Sequence, residues 1–336
     1  MNHVRDSILA TLAYYDVLDF PLTLSEIYNY LINPEKLSVH RNGKSSVFDI
    51  KVLDIAVELD NMARTGVIGR KNDFYFLSGR DALIRLRIER EKIATQKWKK
   101  LLRIAKWFQT VPYLRGIMVS GSLAINNTSD ESDFDVLVVA KSGRLYTCRI
   151  FLSLVASLFG SRRTRYQKIA PDKFCFNHYI TDGNLNINHE SLFNAQAYIN
   201  LKPVMVEDDL MDKFYMENNW LGKYIHNFAF NKVNKEYLLG REGVFCVLAK
   251  FLEIIFNSKV GDWIEILAKK YQQKRIKNNP VTYESGGRVI FNDTELEFHP
   301  HSFELFAINQ YNKKLKQLGI IQHVEEKDSG LLGLIN

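Results

Sequence analysis

Met118-Val119-Ser120-Gly121-Ser122 leads, across the polar segment Asn126-Asn127-Thr128-Ser129-Asp130-Glu131-Ser132, into Asp133-Phe134-Asp135-Val136-Leu137-Val138-Val139. The apolar ends predict two strands joined through a tight Gly-Ser turn. Alternation along the second strand sends Asp133 and Asp135 to one face. The apolar run after them fixes both side chains. Two carboxylates beside a Gly-Ser turn suit a hard divalent cation and a phosphate chain. In that arrangement Asp133 and Asp135 are the ligands, Gly121 permits close approach, and Ser122 supplies a hydroxyl near a helix start. Two acids at i and i+2 can simply begin a strand from a polar loop. The Gly-Ser pair at the end of the preceding strand raises the functional reading above that plain one.

Outward from this stretch, residues 113–205 read as α/β. Strands are expected over 116–120, 134–140 and 173–181. Helices are expected over 144–159, stopped by Gly160, and over 191–201, closed by Pro203. This order describes a small mixed sheet with helices on one side. The third strand, Phe174-Cys175-Phe176-Asn177-His178-Tyr179-Ile180, contains no acid. Asn177 sits mid-strand and is a candidate metal ligand through its amide oxygen. His178, one residue on, is expected on the opposite face as a satisfied core histidine. Asp172 and Asp182 flank the strand and are expected too far away to contribute.

Gly121-Ser122, ten intervening residues, then Asp133-Phe134-Asp135 resembles the signature of the DNA polymerase β-like nucleotidyltransferase superfamily. The resemblance covers roughly residues 113–182. The layout is similar to small bacterial or archaeal members with added N- and C-terminal domains. It implies that Asp133 and Asp135 bind magnesium or manganese and that Gly121 and Ser122 hold a nucleoside triphosphate such as ATP. A nucleoside monophosphate would then pass to a hydroxyl on a small molecule, protein or RNA. Active members usually carry a third carboxylate on a later strand, where this chain has Asn177. The alternative is a catalytically weak nucleotide-binding sensor or interaction module.

The rest of the chain is expected to flank this core, giving an α+β protein. Residues 1–79 read as a winged helix, with three helices and a hairpin around Lys71-Asn72-Asp73. Thr23 with Glu26 opens the second helix as a capping box, and Ser46 with Asp49 marks the start of the third. That third helix would present Lys51, Asp54, Glu58 and Asn61. Its carboxylates disfavour DNA as a partner, so a nucleic-acid-binding regulator ranks lower than a scaffold. Residues 80–112 form a connecting basic amphipathic helix with Trp98, Leu101, Leu102, Ala105 and Phe108 as its apolar stripe. Arg90, Lys97, Lys100 and Arg103 are expected on its solvated face. Residues 206–336 are expected to be mostly helical, with a hairpin around Asn292-Asp293.

The formal net charge is +7 from 45 basic and 38 acidic residues. The segment from Arg80 to Gln109 alone holds ten basic and three acidic residues, a surplus equal to that total. Further basic clusters are Arg162, Arg163, Arg165 and Lys168, and Lys269, Lys270, Lys274, Arg275 and Lys277. Such patches suit polyanions, although solvated roles are favoured for Lys141, Arg144 and Lys168. Cys148, Cys175 and Cys246 lack metal-ligand spacing and read as reduced thiols. His299-Pro300-His301 reads as a loop rather than a metal pair. With no signal-peptide pattern and no apolar run long enough to span a bilayer, a cytoplasmic location is expected and no membrane is implied.

Overall fold

The computed structural model describes residues 3–37, 49–164, 167, 169–228, 235–240, 243–284, 287–299 and 302–328. The expected residues Ser46, Arg165, Lys168, Pro300 and His301 lie outside these. The N-terminal part comprises α1 (His3–Val17), β1 (Leu22–Thr23), α2 (Leu24–Tyr30), α3 (Val52–Arg64), β2 (Ile68–Lys71) and β3 (Phe74–Leu77). Thr23 and Glu26 close the capping box at α2. β2 and β3 pair antiparallel as the expected hairpin, and β1 adds to β3 in a three-stranded sheet. The long helix α4 (Leu83–Ala105) follows.

The central region continues with β4 (Leu114–Val119), α5 (Gly121–Ala124), β5 (Phe134–Ala140), α6 (Leu145–Leu158), β6 (Phe174–Thr181), α7 (Leu192–Tyr198) and β7 (Lys202–Val206). Next come α8 (Leu210–Glu217), α9 (Gly243–Phe256), α10 (Lys259–Lys277), β8 (Arg288–Phe291), β9 (Glu295–His299) and α11 (Glu304–Gln317). The architecture is α+β. The main sheet is mixed, in the order β7-β4-β5-β6-β9-β8. β5 and β6 are parallel, and the other neighbouring strands are antiparallel.

Three expectations about the central sheet change. Pro203 does not close a helix: α7 ends at Tyr198 and Pro203 lies in β7. Its missing N–H is tolerated because β7 is an edge strand, and the register with β4 shifts where Met118 meets Pro203. Both faces of the sheet are covered, rather than one. Ile117, Val136, Val138, Phe174 and Tyr179 pack behind it with Trp98, Leu101 and Leu152. Met118, Leu137, Val139 and Ile180 pack in front with Ile8, Leu12, Phe214 and Tyr311. The hairpin β8–β9, expected within a helical C-terminal part, pairs with β6 and extends the central sheet.

The front core covers only the later part of β5. Leu137 and Val139 are sealed by apolar side chains, whereas Asp133 and Asp135, at the start of the strand, are only partly covered. A second apolar surface has no such cover. No described residue of α9 is buried, and Val244, Val247, Phe251 and Ile254 on α9, with Val260 and Trp263 on α10, are exposed.

The basic face expected on α4 is only partly solvated. Lys97 is 2% exposed, and its Nζ donates to the carbonyls of Asp130 (3.1 Å) and Ser132 (2.7 Å) and to Asp172 Oδ1 (2.8 Å). Lys100 also pairs with Asp172, and Arg90 donates to Asn127 Oδ1 at 2.9 Å. These cations tie the loop before Asp133 to the helix. Replacing Lys97 by Met leaves the two loop carbonyls without this donor and Asp172 with Lys100 alone. Lys97→Met is expected to lower unfolding free energy by roughly 2–4 kcal/mol, read from urea midpoints.

Candidate functional site

β4 ends at Val119, and the chain turns at once through Ser120, Gly121 and Ser122. Ser120 N–H donates to the Asp135 carbonyl at 3.0 Å, which locks the turn against β5. Gly121 has φ +65°, and a β-carbon there would stand 2.7 Å from Asp135 Oδ2. Only glycine satisfies both conditions, so the Gly-Ser turn lies directly on the carboxylate. The loop beyond is held by Asn127 N–H donating to the Ser122 carbonyl at 2.8 Å. Trp98 Nε1–H donates to Asn126 Oδ1 at 3.0 Å, and the Trp98 ring stacks on Tyr237 at 3.7 Å.

Asp133 and Asp135 converge as alternation requires, and Cys175 joins them. One ligand atom from each of the three lies within 4.8 Å of the others. Asp133 pairs with Arg163, which also donates to Cys175 Sγ at 3.7 Å. Asn177 Nδ2 donates to Asp135 Oδ1 at 3.2 Å. The structure therefore brings Asn177 to the site with its amide nitrogen, rather than its oxygen, toward the acid. Burial, and then the neighbouring Asp133 charge, push the Asp135 carboxyl up to about 6. Burial pushes the Cys175 thiol up as well, and the nearby acids add to it, so Cys175 is a protonated neighbour rather than a thiolate ligand. The carboxylate oxygens fit a hard cation whose other ligands are water and phosphate oxygens.

The expected orientation of His178 is wrong, and the cause is a β-bulge. Asp135 pairs with Cys175 but Leu137 pairs with His178, so β6 carries one extra residue there. Phe174, Phe176 and Tyr179 face the rear core, while Asn177 and His178 both turn toward the front. His178 is buried and satisfied, with Nε2 3.0 Å from Glu295 Oε1 and Nδ1 3.2 Å from the Tyr198 hydroxyl. Asp172 is taken up by Lys97 and Lys100, and Asp182 accepts from Ser142 N–H at 2.7 Å.

Lys141 and Arg144 follow the far end of β5. That is about 23 Å along the strand from Asp133 at ~3.3 Å per residue, and Arg144 pairs with Asp262. His299, expected in a loop, instead ends β9, where Nδ1 lies 2.9 Å from Glu297 Oε1. Sequence reasoning does not place Arg163 and Cys175 beside the acids, nor Glu297 and His299 on the same sheet face. For Cys175 a signal existed, since it alternates with Asn177. For Glu297 and His299 none did, because their placement depends on β9 pairing with β6.

No family model, curated protein or solved structure matches the chain. Among the described residues, no helix is long and apolar enough to cross a membrane.

Close contact with Gly121 and burial beside Asp133 both act on the Asp135 carboxylate. Gly121→Ala forces the carboxylate aside and is expected to cost about 1–3 kcal/mol, measured by denaturation. The second effect depends on pH. The folded-state value for Asp135, about 6, lies above the ordinary 3.8 of a free aspartate, so the folded protein holds this proton more tightly. The ionised carboxylate therefore destabilises the fold increasingly from about pH 4 to 6, by on the order of 2–3 kcal/mol. Asp135→Asn is expected to raise the urea midpoint at pH 8 and to leave it near wild type at pH 4.

Proposed function

We propose that this chain is a divalent-cation-dependent nucleotidyltransferase with a polymerase β-like core. The carrying observation is the Gly-Ser turn closed directly onto the Asp133–Asp135 pair. Asp133 and Asp135 would hold magnesium or manganese. Such a cation supplies charge neutralisation for a triphosphate and orientation for the attacking oxygen. The Ser122 hydroxyl and the backbone around Gly121 would contact the phosphates. Arg163, now paired with Asp133, would transfer its charge to phosphate oxygen once the acid takes a cation. The acceptor hydroxyl would bond to the α-phosphorus while pyrophosphate leaves.

Residues 1–79 would form a winged helix that acts as a scaffold. In support, Lys51 just before α3 and Asp54 and Asn61 on it are exposed among Val52, Leu53 and Val57, a surface poorly suited to duplex phosphate. The Asp133–Arg163 pair also favours a second reading, a nucleotide-binding sensor in which that pair persists and turnover is weak.

Calorimetry with ATP and magnesium, together with pyrophosphate release, separates these readings. The transferase reading expects binding and release, with release falling about 100-fold or more in Asp133→Ala and Asp135→Ala. Binding without release favours the sensor. Absence of magnesium-dependent nucleotide binding overturns both.

A further inference from the structure

β6 lacks a carboxylate beside Asp135, but the strand paired with it carries two. In the β6–β9 register, Glu297 stands opposite His178 and Glu295 opposite Ile180. Leu296 and Phe298 point into the rear core. Alternation therefore sends Glu295, Glu297 and His299 to the front, on the same sheet face as Asp135. The bulge in β6 turns His178 to that face as well, and its ring lies 6.4 Å from the His299 ring.

Glu297 is fully buried. Arg288 grips it through Nε at 2.7 Å and Nη2 at 2.5 Å, and Arg288 is itself 3.6 Å from Glu304. Burial pushes the Glu297 carboxyl up, yet the His178 charge and the hydrogen bonds from His299 and Arg288 hold it well below the ordinary range. A carboxylate can only accept, so the 2.9 Å contact is His299 Nδ1–H donating to Glu297 Oε1. A neutral imidazole that donates from Nδ1 presents a bare Nε2 lone pair. The His299 side chain is 33% exposed, so it is open at the edge of the cluster. β9 runs antiparallel to β6, so from Glu297 opposite His178 the strand carries His299 toward the end of β6 that pairs with Asp135. With both Glu297 oxygens engaged by Arg288, this cluster is an ion-paired support for the histidine rather than a second cation site.

We propose that His299 is the catalytic base toward the acceptor hydroxyl, with Glu297 as its positioning residue, in place of the carboxylate that β6 lacks. The proposal rests on the nucleotidyltransferase reading of the Asp133–Asp135 site. In the step, the acceptor O–H gives its proton to His299 Nε2, and the acceptor oxygen forms a bond to the α-phosphorus. The bond from that phosphorus to the bridging oxygen breaks, and its electron pair leaves with pyrophosphate. The proton on His299 then passes to solvent.

The test uses the full chain with ATP and magnesium. Pyrophosphate release is measured with water and then glycerol as acceptor, and ATP binding is measured separately by calorimetry. His299→Ala is expected to keep ATP affinity within about twofold and to lose about 100-fold or more in kcat, with added imidazole restoring part of the rate. Glu297→Gln is expected to lower kcat with KM unchanged and, in 15N–1H spectra of histidine-labelled protein, to remove the Nδ1–H preference of His299. Unchanged turnover in His299→Ala, or a loss that imidazole does not restore, overturns the assignment. So does wild-type protein that binds ATP but releases no pyrophosphate with either acceptor. If Asp135→Asn abolishes release while His299→Ala does not, the base assignment fails and the site reading stands. Absence of magnesium-dependent ATP binding in the wild type is the outcome that defeats the site reading itself.

Discussion

The Asp135 carboxylate stands at the start of a strand whose later residues are fully buried, and the surrounding structure keeps that charge in place. Val136, Leu137, Val138 and Val139 are at most 1% exposed, so β5 cannot slip without burying acids and exposing its core. The Gly121 turn closes on the carboxylate from one side. Asn177 meets it from the neighbouring strand. Burial beside a second acid raises its proton affinity, a cost that a bound cation would relieve.

Supports for this arrangement come from elements far along the chain. Lys97 on α4 gathers the loop carbonyls before Asp133. Arg163, in the segment after α6, neutralises Asp133. The β8–β9 hairpin brings Arg288, Glu297 and His299 to the same face. The positive surplus around Arg80–Gln109, which composition alone offers as a polyanion surface, is thus partly consumed inside the protein. Arg87 shows the same use: it is 5% exposed, bonds Glu26 and Glu91 and lies over the Phe20 ring at 3.7 Å.

Local patterning exposed what local physics controls. The apolar run of β5 fixed its bounds, since a buried strand needs continuous hydrophobic residues. Gly121 and Ser122 were legible because a turn after a strand has few chemical solutions. Thr23 and Glu26 were legible because a capping box closes within four residues. Pro203 misled because proline ends helices and also tolerates sheet edges. Which applied depended on β7 lying at an edge.

By itself, the sequence determined the two-strand, two-carboxylate motif, the hairpin over β2 and β3, and most helices, because each follows from neighbours a few residues apart. Only the tertiary structure decided the sheet order, the covering of both faces, the bulge that turns Asn177 and His178 together, and the arrival of Glu297 and His299 on the sheet face that carries the acids. Strand pairing and register arise from contacts between distant segments. A one-residue shift reverses every side chain, and no local pattern in β6 or β9 encodes which strand will lie next to it.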